Sequence, residues 1–197
     1  MKNLVIFLVV LGVIGGIAMK YINAFPVLDE TVKEKWAQVQ NQYKRRADLI
    51  PNLVKTVQGY ASHEEGVFKE VTEARSKASQ MTIDVSSLDD PAKLKEFENA
   101  QKTLGGALSR LMAITENYPQ LKADQNFLSL QSQLEGTENR IAVARKDYIA
   151  AVKDYNIALR KIPDKFIAAI FYPELKPRVT FEASEAEQSA PDVSFAK

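Results

Sequence analysis

The feature that most constrains this chain is a run of residues spaced alternately three and four apart through its second half. Phe127, Leu130, Leu134, Thr137, Ile141, Ala144, Tyr148, Ala151, Tyr155, Leu159 and Ile162 keep that step for five heptads. Such a step traces one narrow face of an α-helix, here about 50 Å long. A single helix cannot bury a seam of that length, so other helices must lie alongside it.

The rest of the chain supplies them. Leu28, Val32, Trp36, Val39, Tyr43 and Ala47 recur at steps of four or three, Ile50, Val54 and Val57 continue the series, and Val67, Val71, Ala74 and Ala78 follow. Pro51 lacks the N–H that a helix interior uses, and Asp48 before it is a residue type that caps helix starts. The expectation is a first helix over 27–47, a break near Pro51 and a second helix over 49–80. Residues 81–90 carry turn formers without a helical period and read as a loop. Asp90 followed by Pro91 is a cap followed by proline at the first helical position. A third helix therefore starts there, with Leu94, Phe97, Leu104, Leu108, Leu111 and Thr115 on one side, and Tyr118-Pro119 ends it. Pro163 closes the fourth helix, Lys165 to Phe171 makes a further turn or two, and the segment from Glu174 has no core-forming period.

Hydrophobic residues make up 46% and charged residues 26% of the 197 positions, a mixture that supports a packed core. Lys and Arg total 26 against 25 Asp and Glu, so the basic excess that drives binding to nucleic acid is missing. Cysteine is absent, which excludes disulfides, thiolate metal ligands and thiol nucleophiles. The fold class is all-α: an N-terminal transmembrane helix followed by a long antiparallel four-helix-type bundle. Its divisions are an anchor and short linker over 1–25, the bundle over 26–182 and a flexible tail over 183–197.

Leu4 to Met19 contains sixteen apolar residues with no charge, bounded by Lys2 and Lys20. As a helix it spans about 24 Å, and the flanking lysines can snorkel to reach across a hydrocarbon core of roughly 30 Å. The segment reads as an uncleaved anchor because no clear Ala-x-Ala site follows. A cleaved signal peptide, with small residues over Gly16 to Ala18, is the competing reading. Gly12 and Gly16 have the small-xxx-small spacing that lets two anchors pack into a homo-oligomer, and are equally ordinary residues of a membrane helix. Lys2 on one side faces Lys20, Lys33 and Lys35 on the other, so charge alone orients the anchor poorly. The expectation is a single pass in the cytoplasmic (inner) membrane with the bundle on the extracytoplasmic side.

Signals of chemistry are few. His63 is the sole histidine, and with Glu64 and Glu65 it could be imagined in a metal or acid–base site. A stable zinc site wants more than one nitrogen or sulfur ligand, and the plainer reading is a surface or interhelical hydrogen bond. No HExxH, phosphate loop or GxSxG elbow is present, and Gly105-Gly106 lies inside a helical pattern. No catalytic, cofactor-binding or metal residue is assigned, and no cofactor is expected. Two clusters stand as candidate partner contacts. Arg45 and Arg46 form a cationic pair suited to a carboxylate or phosphate, with structural ion pairs and caps made by Arg46 and Asp48 where the chain bends, or ion pairs to helices carrying Glu135 or Glu138, as the alternative. Phe166, Ile167, Ile170 and Phe171 are apolar enough to touch a bilayer or partner, with packing on the bundle end as the alternative.

These residues also carry a resemblance. Val32-Lys-Glu-Lys-Trp36, Arg45-Arg-Ala-Asp-Leu-Ile-Pro-Asn-Leu-Val54, Gly59-Tyr60 with His63-Glu64, Ala74-Arg75, Glu116-Asn-Tyr-Pro119, Glu135-Gly-Thr-Glu-Asn-Arg-Ile141 with Ala144-Arg145, and Tyr155-Asn156 together resemble the LemA family of bacterial proteins. The match runs from about Tyr21 to Glu182, and Tyr21-Ile-Asn23 departs from the family's adjacent Tyr-Asn. The resemblance implies a transmembrane helix, a long antiparallel bundle and no established catalytic activity. It brings no active site to transfer. The leading expectation is a membrane-anchored binding or scaffolding protein that is not an enzyme, held in the bilayer through Leu4 to Met19. The alternatives are a regulator or adaptor of a membrane protease, since members of the family are often encoded near such enzymes, and a metal-dependent enzyme centred on His63.

Overall fold

The computed structural model describes residues 2–181. Among them the order is α1 (Lys2–Gln58), α2 (Glu65–Gln80), a one-turn 3₁₀ helix (Val85–Ser87), α3 (Pro91–Thr115), α4 (Pro119–Lys122), α5 (Gln125–Ala158) and α6 (Asp164–Phe171), with no strand. The four long helices run up, down, up and down. Arg75 of α2 reaches Ala47, Gln101 of α3 reaches Arg46, and Tyr148 of α5 stacks beside Trp36. The expected all-α fold, an apolar N-terminal helix and an antiparallel bundle, is the one observed.

The apolar spacing becomes packing directly. Val32, Trp36, Val39, Ile50, Leu53 and Val57 of α1 are buried, as are Leu104 and Leu111 of α3 and Ile141, Tyr148, Val152 and Tyr155 of α5. Asp90 caps α3 as expected, its Oδ1 accepting from the backbone N–H of Ala92 at 2.9 Å. Asp124 caps α5 in the same way, accepting from Phe127 N–H at 2.9 Å.

The expected break near Pro51 does not occur. α1 is one helix of 57 residues with Pro26 and Pro51 inside it. Each proline strips the carbonyl four residues earlier of its usual donor, at Ile22 and Ala47. Another helix replaces that donor in each case. Arg75 Nε of α2 donates to Ala47 O at 2.7 Å, and Tyr172 Oη, just past α6, donates to Ile22 O at 3.2 Å. With the freed carbonyls satisfied and Leu53, Val54 and Val57 buried beyond the second proline, the helix continues. Asp48 consequently sits in mid-helix, where its carboxylate pairs with Lys44 at 3.1 Å instead of capping a new start. The break falls at 59–64, and the second helix begins at Glu65.

Two other ends shift. α3 stops at Thr115, three residues before Tyr118-Pro119, and the proline opens the short α4. α5 stops at Ala158, so Ile162 lies outside the seam and is 74% exposed.

The core divides along the rod. Its distal half is mainly aliphatic, with Ile50, Leu53, Val57, Leu104, Leu108, Leu111 and Leu121. Nearer the anchor an aromatic group takes over, in which Trp36 meets Phe97, Tyr148 and Phe181 at ring-centroid distances of 5.5, 5.2 and 5.9 Å. α2 ends above this level, and two irregular segments cover the gap. Ile83 and Leu88 of the 81–90 loop are buried, and Ile83 O accepts from Trp36 Nε1 at 3.2 Å and Gln40 Nε2 at 3.0 Å. Residues 174–181, for which the sequence offers no core period, form a strap whose Phe181 is buried. Val179 N–H donates to Leu88 O at 2.9 Å, and Tyr148 Oη donates to Val179 O at 2.9 Å. The expected flexible tail over 183–197 lies outside the described residues.

Candidate functional site

Adjacent residues on a helix point about 100° apart, so the two arginines of α1 separate. Arg46 turns inward and is buried. Its guanidinium donates to Glu138 of α5 at 3.1 Å and to the Gln101 backbone carbonyl and side-chain Oε1 of α3 at 3.2 and 2.5 Å, and its carbon lies 5.0 Å from the centre of the Tyr43 ring. Three helices meet on this one side chain. Arg45 stays exposed on the outer face of α1. Glu135 takes no part in the arginine cluster and accepts from Gln131 at 3.0 Å.

The second candidate cluster sits at the other end of the bundle. α6 packs beside the stretch of α1 that leaves the apolar segment, where Phe25, Ala158 and Ala168 form a small core with Ile167 against it. Phe166, Ile170 and Phe171 stay 60%, 72% and 53% exposed. Arg45 and these apolar residues therefore form two separate surfaces. In the apolar segment itself Leu4 to Met19 stands clear of the bundle, and this part of α1 is long and apolar enough to cross a membrane. Gly12 and Gly16 lie on it, and a methyl group added at either would meet open space.

The tip farthest from the apolar segment joins residues that the sequence leaves far apart. Tyr60 Oη donates to Asp124 at 2.9 Å, and Tyr118 Oη donates to Glu64 at 3.3 Å. The Phe127 N–H and the Tyr60 hydroxyl hold the Asp124 carboxyl below its ordinary range, while the same bond pushes Tyr60 up. Burial first and Glu64 second push Tyr118 up. Both hydroxyls therefore stay protonated donors at neutral pH, one tying the segment after α1 to the start of α5 and the other the start of α4 to the start of α2. His63 is exposed beside them, and among the described residues no three His, Asp or Glu side chains gather in a way that could hold a metal ion. A groove of about 360 Å³ between the end of α3 and the start of α5, lined by Met112, Glu116, Lys122, Phe127 and Leu128, is bridged by a Glu116–Lys122 ion pair at 2.6 Å.

A polar knot near the anchor also escapes sequence reasoning. Arg178 of the strap donates to Asp29 of α1 at 3.0 Å, its backbone N–H donates to Asn156 at 2.9 Å, and Asn156 donates back to its carbonyl at 2.8 Å. Burial pushes the Asp29 carboxyl up, yet hydrogen bonds from Lys33 and Arg178 outweigh it and hold the carboxyl below its ordinary value. Asn156, next to Tyr155 in the seam, was the one local signal: a polar residue flanking a core position has a partner to find.

The sequence is similar to several known proteins. Magnetosome protein MamQ 2 of Paramagnetospirillum magneticum (strain ATCC 700264 / AMB-1) is 29% identical, over 82% of this chain and 65% of its own length. Magnetosome protein MamQ of Magnetospirillum gryphiswaldense (strain DSM 6361 / JCM 21280 / NBRC 15271 / MSR-1) is 28% identical, over 80% of this chain and 63% of its own. Protein LemA of Metamycoplasma hominis (strain ATCC 23114 / DSM 25592 / NBRC 14850 / NCTC 10111 / PG21) is 26% identical, over 79% and 66%. The chain thus spans just under two thirds of the length of these relatives. The LemA family profile matches residues 35–195, a stretch that takes in Arg46 with both its partners, the tip and the strap, and the chain belongs to the LemA family.

Proposed function

We propose that the protein is a single-pass binding or scaffolding rod of the cytoplasmic membrane, with its bundle on the extracytoplasmic side, and that it works without catalysis. The observation that carries this reading is the continuity of α1. The apolar segment and the first bundle helix are one helix across both prolines, so the rod stands on its anchor without a flexible linker. The distal tip at Gly59 is then held about 57 Å along the helix from Lys20. An enzyme needs a pocket with convergent reactive groups, whereas a rod needs stiffness and outward-facing contacts. Arg45 on the shaft and Phe166, Ile170 and Phe171 at the base are the contacts we assign, with Ile167 behind them and Arg46 holding the shaft together. Placement outside the cytoplasm agrees with Lys2 remaining inside, since large domains cross largely regardless of their own charge.

The test is photo-crosslinking in growing cells, with a photoreactive residue at Arg45 or, as a control, at exposed Lys146 of α5. Discrete protein adducts at position 45 and none at 146 are expected. A clean lane at 45 removes the shaft contact. Topology is read separately with Ser62→Cys in this cysteine-free chain. Labelling by a membrane-impermeant maleimide in cells with only the outer barrier opened is expected, and labelling only after lysis moves the bundle into the cytoplasm.

A further inference from the structure

After Asp164 and Lys165 at its start, α6 is apolar on both its inward and its outward face. Asp164 and Ala168 point inward and are buried, while Phe166 and Ile170, one turn apart, point outward with Ile162 just before them. The six residues from Phe166 to Phe171 are apolar all round, and such a segment belongs inside a protein or against lipid. Its position in the fold selects lipid. Tyr172 at the end of α6 donates to Ile22 O and packs against Phe25 with ring centroids 5.8 Å apart, so α6 is held at the level of residues 22–25. Ile22 lies three residues beyond Met19, about 4.5 Å along the helix, and Phe25 about 9 Å, so the two contacts bracket the outer half of a headgroup layer. A headgroup layer is about 5–8 Å thick on each side of the hydrocarbon core. Exposed Lys20, Arg160, Lys161 and Lys165 surround this level, whereas Asp164 is buried and paired with Lys161 at 3.7 Å.

We propose that α6 is an interfacial foot, lying on the leaflet beside the anchor with Phe166 and Ile170 seated at the boundary between headgroups and acyl chains. Interfacial helices bury their apolar face about 5–10 Å into that boundary, and surrounding lysines favour anionic lipid. The inference rests on the reading of Leu4 to Met19 as a membrane-spanning segment.

Single reporters are straightforward because the chain has no cysteine. Full-length protein carrying a nitrobenzoxadiazole label at Ile170→Cys is reconstituted into nanodiscs of phosphatidylcholine and phosphatidylglycerol, beside Val10→Cys in the anchor and Ser62→Cys at the tip. The label at 170 is expected to lose most of its emission to nitroxide-bearing lipids and to be shielded from aqueous iodide, while the label at 62 behaves in the opposite way. If the label at 170 is quenched by iodide as fully as that at 62 while the label at 10 stays in lipid, the proposal is overturned and the apolar face is left for a protein partner. If iodide reaches the label at 10 as well, the anchor reading itself has failed and the foot falls with it.

Discussion

The two halves of the rod solve the same burial problem with different side chains. The distal half is built from regular helices meeting side by side, where Leu, Ile and Val interdigitate and fill the space without polar atoms. The half near the anchor has lost α2 and must close itself with a loop and a strap, whose backbone groups cannot pair among themselves as a helix would. Its core is therefore aromatic, with Trp36, Tyr43, Phe97, Tyr148, Tyr155 and Phe181, and its hydrogen bonds join distant parts of the chain. Large rings fill irregular gaps, and Trp Nε1 and Tyr Oη supply the donors that non-helical carbonyls need. Where helices run out, packing and hydrogen bonding have to be done by the same residues.

Trp36→Ala tests this most severely. Removing the ring that touches Phe97, Tyr148 and Phe181, and that also donates to Ile83 O, should cost about 3–5 kcal/mol and lower the melting temperature clearly. A shift within error would mean that the aromatic half contributes little to stability. The arginine pair comes next. Arg46→Ala takes the donor from the buried Gln101 Oε1 and the ion pair from Glu138 at the junction of the two halves and should cost about 2–3 kcal/mol, whereas Arg45→Ala should stay within about 0.5 kcal/mol. Equal losses would show that the two side chains are not divided between inside and outside.

Proline compensation predicts a smaller and more particular effect. Arg75→Ala should cost about 1–2 kcal/mol by stranding Ala47 O. Pro51→Ala restores a backbone donor to that carbonyl, so the same arginine truncation should cost measurably less in the Pro51→Ala protein. Additive losses would mean that Arg75 stabilises something other than the carbonyl. The smallest effect should be the acid dependence of the strap. The Asp29 carboxyl is held below its ordinary value of 3.8, so its stabilising contribution is complete above that pH and is lost as pH falls through the depressed value. Denaturant curves of the native protein and Asp29→Asn should therefore differ by a constant amount at neutral pH and converge in acid. A gap that persists at pH values where Asp29 is protonated would argue against the ion pair with Arg178.

Helix number and direction were legible because seam residues such as Val32, Trp36, Tyr148 and Tyr155 are spaced by local geometry that any stretch of sequence displays. The course of α1 through Pro51 was not, because the donor that makes it tolerable is Arg75, on another helix and 28 positions from Ala47. The strap was hidden for a related reason: Arg178 and Phe181 are held by Asp29, Asn156 and Trp36, so no period in their own segment announces them. At the candidate surfaces the adjacency of Arg45 and Arg46 suggested one cluster, and a rotation of about 100° per residue divides it. Glu138 was foreseeable as a partner from its place beside the α5 seam, but Gln101, a neutral residue in a pattern full of them, was not.

The unbroken course of α1 has a mechanical consequence. A helix fixed in a bilayer takes up a mismatch in thickness by tilting. On the proposed anchoring of Leu4 to Met19, α1 runs on through Pro26 and Pro51, so that tilt passes into the shaft, and a change of about 10° sweeps the tip sideways by about 10 Å over its length of about 57 Å. The rod is in this sense a pointer, whose fulcrum lies where Tyr172 grips the carbonyl of Ile22. On that reading membrane thickness is converted into the position of a surface some tens of ångströms away.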